Sequence, residues 1–386
     1  MMLAQSKQPT ALAAADRFRG FVLEPERRMR QLVLKHEPEL DSIMDIWRRF
    51  KVSSMEESGG NYQRAVGFST PYPSRVIESF SLALEGLQAE NGFTYKAGLF
   101  LSALIYASHE KDFIIRASHL PPLDELGHKN TKNVIIDGDV NEWLGIWMKS
   151  GSITVKGNAK KGLGYKMEGG TICVEGDGGH APGGYLLGGD IILGSTEDFV
   201  GTGMKDGHIT VLGDAAYYAG NEMEGGTLLI KGDAGENAGY KMKGGMMTVE
   251  GSTGDLTGNS ISGGKMFVKC RTGYDTGGGM RGGRLIVGSA GDYAGKGMQG
   301  GVLIVKGNAS FSPGVWMAGG SIAIEGDAGD FVGQHMCNGS IRIKGNAGKE
   351  VGSEMSGGEI HLEGDFKSIS KHIPGGRIFH KGKRIH

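Results

Sequence analysis

The sequence predicts a mainly β chain: a right-handed parallel β-helix of about 13 coils over residues 131–386, behind a smaller α-helical capping domain over residues 1–130. Three observations carry this. A closing glycine recurs with a 19-residue period, at Gly138, Gly157 and Gly176, then after an 18-residue step at Gly194, Gly213, Gly232 and Gly251, and so on to Gly364. A fixed period near 20 marks a solenoid, whose units bury their apolar faces only by stacking on one another. Between the glycines run alternating segments such as Thr171-Ile-Cys-Val-Glu175, which have the period of a strand. Finally, the chain holds 70 glycines, and units carrying four or five each cannot sustain the paired helices of a helical solenoid. Parallel crossovers favour the right-handed sense, and stacking at about 4.8 Å per coil gives a rod on the order of 60 Å long.

Stacking predicts columns of equivalent residues. One is methionine, at Met148, Met167, Met204, Met223 and Met242 and on to Met355, with Leu186 and Ile261 standing in twice. Thioethers pack well in a narrow interior. The branched substitutes favour that packing over a soft-metal site. A second column alternates Lys231, Glu250, Lys269 and, later, Lys306, Glu325, Lys344, Glu363, which sets opposite charges on neighbouring coils. A third interleaves Asp139, Asn158 and Asp177, residues that suit turns because they bond their own backbone. One such residue per coil is too sparse for calcium.

Taken in order, the first 20 residues read as an arm. A helix is expected from Glu24 to Phe50, broken near Pro38, with Ile43, Ile46 and Trp47 on one face. Arg27, Arg28, Arg30, Arg48 and Arg49 are interleaved with acids, which suits a solvated face rather than a polyanion site. Lys51 to Thr70, polar and holding Gly59-Gly60, reads as a loop. Helices are expected at Pro73–Glu90 and Phe93–Glu110, the second buried through Ala97–Ile105, and Asp112–Arg116 reads as a strand leading in. The helices are placed to cover the open edge of the first coil. The cation-rich Ile373–Ile385 reads as a degenerate last coil that blunts the other end.

Net charge is −1, which gives no signal for nucleic acid or an anionic membrane surface. Three cysteines, Cys173, Cys270 and Cys337, lie at unrelated phases of the repeat and suit a reducing cytoplasm. No apolar run reaches membrane-spanning length.

The phrase Gly-Asp-Ala-Gly-x-x-x-Gly-x-x-Met-x-Gly-Gly-x-Ile-x-Val-x-Gly, nearly intact at Gly232–Gly251 and Gly326–Gly345, resembles the GXGXG repeat family. That family includes the repeat-bearing subunit of formylmethanofuran dehydrogenases, its counterpart in the formyltransferase/hydrolase complex, the C-terminal domain of the glutamate synthase large chain and a small subunit of N-methylglutamate synthase. The resemblance covers about two thirds of the chain and implies a β-helix that braces catalytic subunits. The methionine-rich phrase is closer to the formylmethanofuran dehydrogenase subunit. What it implies is a non-catalytic scaffold in a larger enzyme complex, with protein subunits or further copies of itself as partners. No catalytic, cofactor-binding or metal-binding residue is assigned.

Chemistry of the chain's own is expected, if anywhere, where the repeat breaks. Gly178–Tyr185 and Cys270–Gly279 depart from the phrase, and their glycines suggest backbone open to a ligand. His180, His208, His335, His361, His372 and His380 fall in different phases. No coil reads as pairing carboxylates with a basic partner on a single strand face, which disfavours a polysaccharide-cleaving β-helix. Trp143, Phe199, Tyr217, Tyr218, Tyr293 and Phe331 form a stripe along one edge, suited to a protein partner or to covering the corner.

Overall fold

The computed structural model describes residues 38–53 and 57–386. The expected helix before Pro38, with Arg27, Arg28 and Arg30, lies outside these residues. Among the described residues four α-helices come first: α1 (Pro38–Arg49), α2 (Ser58–Phe68), α3 (Ser74–Ala83) and α4 (Phe93–Ala107). The strands follow as β1 (Asp112–Arg116), β2 (Asn133–Asp137), β3 (Val140–Glu142), β4 (Ser152–Val155), β5 (Ala159–Lys161), β6 (Thr171–Val174), β7 (Asp190–Leu193), β8 (His208–Val211) and β9 (Thr227–Ile230). They continue as β10 (Met246–Val249), β11 (Lys265–Thr272), β12 (Arg281–Ala290), β13 (Gly300–Val305), β14 (Ala318–Ile324), β15 (Asn338–Ile343), β16 (Glu359–Leu362), β17 (Arg377–His380) and β18 (Lys383–Arg384).

The chain is a parallel β-solenoid of about 14 turns. One side of every coil joins a 16-stranded sheet that omits only β3 and β5. Its register places Ile153 on Val134 and Ile172 on Ile153, so each inward column is continuous. A second side is held by single bridges, such as Ala215 to Ala234 and Ala309 to Ala328. On the third side the methionine column is buried as expected: Met148, Met167, Met204 and Met242 have no exposed surface, and Ile261 has 1 %.

The closing glycine is explained by space. A Cβ on Gly176 would lie 2.2 Å from Asn158 Oδ1 and 2.9 Å from Gly157 O. That side chain has a fixed task. Asn158 Oδ1 accepts the backbone N–H of Asp177 on the next coil at 2.9 Å, and Asp139 Oδ1 accepts that of Asn158 at 2.7 Å. The expectation that these residues bond their own backbone is corrected: each bonds the equivalent amide one coil on. The ladder repeats at Asp214 to Asp233 (2.8 Å) and Asp327 to Asn346 (2.7 Å).

The charge ladder closes only in part. Lys306 lies 2.8 Å from Glu325, Lys344 3.7 Å from the same carboxylate, and Lys156 pairs with Glu175. Lys231, Glu250 and Lys269 form no ion pair among the described residues.

At the N-terminal end α4 is buried from Tyr95 to Ile105 and touches the first coil directly, since a Cβ on Gly98 would lie 1.8 Å from Asp124 O. Ser102 Oγ accepts the N–H of Gly127 at 2.8 Å. β1 is a full member of the ladder, paired with β2 from Asp112 to Arg116, and Ser81 Oγ of α3 accepts the N–H of Arg116 at 3.0 Å. The helices therefore cap the open edge. One expectation fails here. Ser58–Phe68 is helix α2, not loop, and Gly59-Gly60 falls in its first turn. Buried Asn61 and Tyr62 anchor it, Asn61 Nδ2 donating to Tyr95 Oη at 2.9 Å. At the other end β18 turns back antiparallel on β17, and Ile385 N–H donates to Ile378 O at 2.9 Å. That hairpin blunts the last edge.

Candidate interaction surfaces

The first irregular coil is closely stacked on its neighbours, whereas in the second a Cβ on Gly279 would meet only Ser260 Oγ, at 3.5 Å. A Cβ on Gly178 would lie 2.5 Å from Leu193 Cδ2, and one on Gly179 1.9 Å from Lys160 O. Gly178 N–H donates to Ser195 O at 2.9 Å, and His180 N–H to Lys160 O at 2.7 Å. Close stacking between coils therefore accounts for this glycine run, and the reading of a ligand-ready backbone is corrected there. In the second irregular coil a Cβ on Gly273 would lie 2.0 Å from Asp255 Oδ1, and Thr276 bonds Thr272 at 2.6 Å. This coil does contain one unusual group. Asp275 is 8 % exposed, its Oδ1 has no hydrogen-bond partner, and burial pushes its carboxyl up to about 6 against the pull of Lys296.

The aromatic stripe resolves into two columns. Trp143, Phe199, Tyr218, Tyr293 and Phe331 share one corner position with φ between 59° and 66°. Large side chains rarely adopt that conformation, and here successive rings support one another. Phe199 and Tyr218 stack at 5.0 Å and 5°, and Tyr218 meets Tyr240 edge-on at 6.0 Å. Tyr217 belongs to the adjacent column, with Tyr274 and Phe311, which the sequence reading passed over. Counting whole coils from Tyr217 finds both. The N–H groups of these three donate to Asp198, Asp255 and Asp292 at 3.0, 2.9 and 3.0 Å, so a carboxylate lies beneath each ring. Their rings are 50 %, 44 % and 38 % exposed. Near them Trp316 is 54 % exposed, with Lys296 Nζ 5.6 Å over its ring.

A groove of about 570 Å³ lies where the start of α3 meets the outer face of β1, β2, β4 and β6. Ile114, Ile135, Thr154 and Cys173 floor it, and Ser74 and Glu78 wall it. Arg116 ties Glu78 (2.9 Å) to Asp137 (3.2 Å) beside it. Burial, then the Glu175 carboxylate, pushes the Cys173 thiol up, which disfavours the nucleophilic thiolate.

Two polar groups were missed in the sequence. Glu125 and His128, both nearly fully buried, pair at 3.0 Å under the helical cap, and Ser58 Oγ donates to the same carboxylate at 2.5 Å. The Tyr62 ring stacks on His128 at 4.3 Å, and burial, followed by Tyr106, raises the Tyr62 hydroxyl. On β16 and the residue that follows it, Glu359, His361 and Glu363 alternate along one face, which corrects the reading that no coil pairs carboxylates with a basic partner on a single strand face. Both acids are engaged: Glu363 pairs with Arg342, and Glu359 with Arg377 and with His361 at 3.0 Å. The hydrogen bond from His361, then Arg377, holds the Glu359 carboxyl below its ordinary value. This suits a structural ion-pair network rather than an acid–base couple.

Other histidines stay apart. His208 lies 3.2 Å from Asp190, His372 3.3 Å from Glu354, His380 3.8 Å from Asp365, and His335 stacks on Trp316 at 6.1 Å. Among the described residues no group of three or more His, Cys, Asp or Glu is arranged to hold a metal ion, and no helix is long and apolar enough to cross a membrane. The chain matches no protein-family model and finds no match among curated proteins.

Proposed function

We infer that the chain is a scaffold and interaction subunit of a multi-subunit enzyme. The observation that carries this reading is the edge bearing Tyr217, Tyr274 and Phe311, each half out of solvent contact and each seated over an aspartate. Exposed aromatics held on rigid backbone are the usual anchors of protein interfaces, and the interleaved carboxylates suit a partner with a basic surface. The in-register ladder fixes their spacing before any partner arrives, which lowers the ordering cost of binding.

The repeat phrase supports a role like that of the repeat-bearing subunit of formylmethanofuran dehydrogenase or of the formyltransferase/hydrolase complex. A glutamate-synthase-like or N-methylglutamate-synthase-like setting is the alternative. In either case cofactors belong to the partners, and the free thiols of Cys173, Cys270 and Cys337 suit the cytoplasm. The test is to purify the tagged chain at native level and identify what accompanies it, beside a Tyr217→Ser, Tyr274→Ser, Phe311→Ser variant. Formyl-transferring or molybdopterin-type subunits support the first setting, and amidotransferase or flavin subunits the second. Loss of those subunits from a folded triple variant supports the aromatic edge, and their undiminished recovery overturns it.

A further inference from the structure

The outer face of the 16-stranded sheet is a second surface, distinct from the aromatic edge. Its central column carries mostly apolar or small residues, among them Ile192, Leu229, Phe267, Ile286 and Ile304, all only half-buried. Leu212 (48 % exposed) and Met246 (37 %) stand on either side. A continuous apolar sheet face of this length is the kind of surface a second layer covers. The charges along its border specify what that layer is.

We propose that two copies of this chain pack through this face, antiparallel, about a two-fold axis that runs along the strand direction between β9 and β10. That operation sets the border column of one copy against the same column of its partner. Lys231 then faces Glu250, Glu175 faces Lys306, and Lys156 faces Glu325. Nearer the ends Asp137 faces Lys344, and Arg116 faces Glu363. Every charged pair across the axis on this border is of opposite sign, apart from Lys269, which meets Leu212. A slip of one strand in either direction reverses the match, setting Lys231 against Lys269 or against itself, and Lys156 against Lys344 or Lys306. Register is therefore specified by the same alternation that orders the coils.

Side-chain sizes fit the charges over part of the face. Across the axis Thr210 faces Phe267, Thr248 faces Leu229 and Cys173 faces Ile304, so a bulky residue opposes a small one at these three levels, as interdigitated sheets require. Ile192 meets Ile286, Thr154 meets Ala323, and Ile135 meets the stem of Arg342, whose guanidinium pairs with Glu363. On the opposite border Asp190 faces Arg284. The one like-charge approach on that border, Asp112 with Glu359, is attended by Arg377, which already pairs with Glu359. α3 stands beside this face at β1, where Glu78 pairs with Arg116, so the overlap is fullest between β2 and β15, burying on the order of 800 Å² per copy at sheet spacings, about that of a standard interface. Lys231 and Glu250, which form no ion pair among the described residues of their own chain, gain partners on the neighbouring copy.

The test uses the purified full chain. Sedimentation velocity at low micromolar concentration is expected to show a dimer. Lys231→Glu and Glu250→Lys, which each place like charges across the axis twice, are expected to weaken it at least about tenfold. The double variant, which restores opposite signs, is expected to return within about threefold of wild type. Circular dichroism confirms that each variant is folded. A short bismaleimide is expected to join Ile304→Cys chains covalently through Cys173 of the neighbouring copy, and to leave wild type uncrosslinked. A monomer at tens of micromolar overturns the proposal. So does a dimer indifferent to the charge variants, or wild-type chains joined through Cys173 alone, the signature of parallel packing. None of these results depends on the aromatic edge or its partner.

Discussion

If the closing glycine serves space rather than backbone freedom, the cost of adding a methyl group depends on what lies beneath it. Gly176 and Gly213 occupy the same position on different coils. In Gly176→Ala the new Cβ meets Asn158 Oδ1 at 2.2 Å and Gly157 O at 2.9 Å. Asn158 must withdraw, losing its bond to the Asp177 N–H, and the Gly176 N–H to Gly157 O bond at 3.1 Å is strained. Two weakened bonds at about 1 kcal/mol each, plus about 1 kcal/mol of backbone displacement, offset by about 0.5 kcal/mol of lost unfolded-state freedom, leave a net destabilisation of about 2–3 kcal/mol. In Gly213→Ala the Cβ meets only Ser195 Oγ, at 2.3 Å, and the next atom is 3.4 Å away. A hydroxyl rotates aside, giving up only its long 3.3 Å bond from the Asp214 N–H, so the net loss is within about 1 kcal/mol. Guanidinium unfolding midpoints followed by far-UV circular dichroism measure the difference. Equal destabilisation of the two variants would refute the spatial account of the glycine. A second check is Asn158→Gly combined with Gly176→Ala, expected to recover about 1 kcal/mol of the loss.

Other consequences are as direct. Met242→Ala is expected to cost about 3 kcal/mol in unfolding free energy and Met242→Leu under about 1.5 kcal/mol, because Leu186 and Ile261 already serve in that column. Asp275 gives a pH dependence. Its carboxyl sits at about 6 when folded against an ordinary 3.8, so the neutral form is favoured by folding. The resulting penalty is absent below about pH 4, grows between about 4 and 6, and persists above. The shift corresponds to at most about 3 kcal/mol, and solvent screening at the corner brings the expected value to about 1–2 kcal/mol. Asp275→Asn should therefore stabilise by that amount at pH 8 and by nothing at pH 4, read from urea titrations at each pH. Removing Asp198 by Asp198→Ala exposes a replaceable bond to the Tyr217 N–H, and a loss within about 1 kcal/mol is expected by the same titration.

The solenoid was legible in the sequence because stacking writes each structural role once per coil, so Met242 and the Thr171–Glu175 strand announce themselves by period. What periodicity does not encode is who bonds whom. Asn158 could serve its own turn or the next coil's amide, and only the stack decides. β1 was readable as a strand but not as a coil, since Leu120-Pro-Pro lengthens the step from Asp112 to Asn133 to 21 residues. α2 was hidden because Gly59-Gly60 disfavours helix locally, while buried Tyr62 and Asn61 hold it through contacts distant in sequence. The aromatic edge was half visible: the shared corner position was found, but Tyr274 and Phe311 lie in coils whose other residues break the pattern. The Glu125–His128 pair carried no signal of its own, as it is assembled by the junction of cap and first coil.

The central claim is that this rod presents its surface to other subunits. The most direct measurement is the mass of the particle that carries the chain when it is purified gently at native level, read by mass photometry. A particle heavier than two copies of the chain, reduced to two copies by the triple variant at Tyr217, Tyr274 and Phe311, is the predicted result. A wild-type particle no heavier than two copies would contradict it.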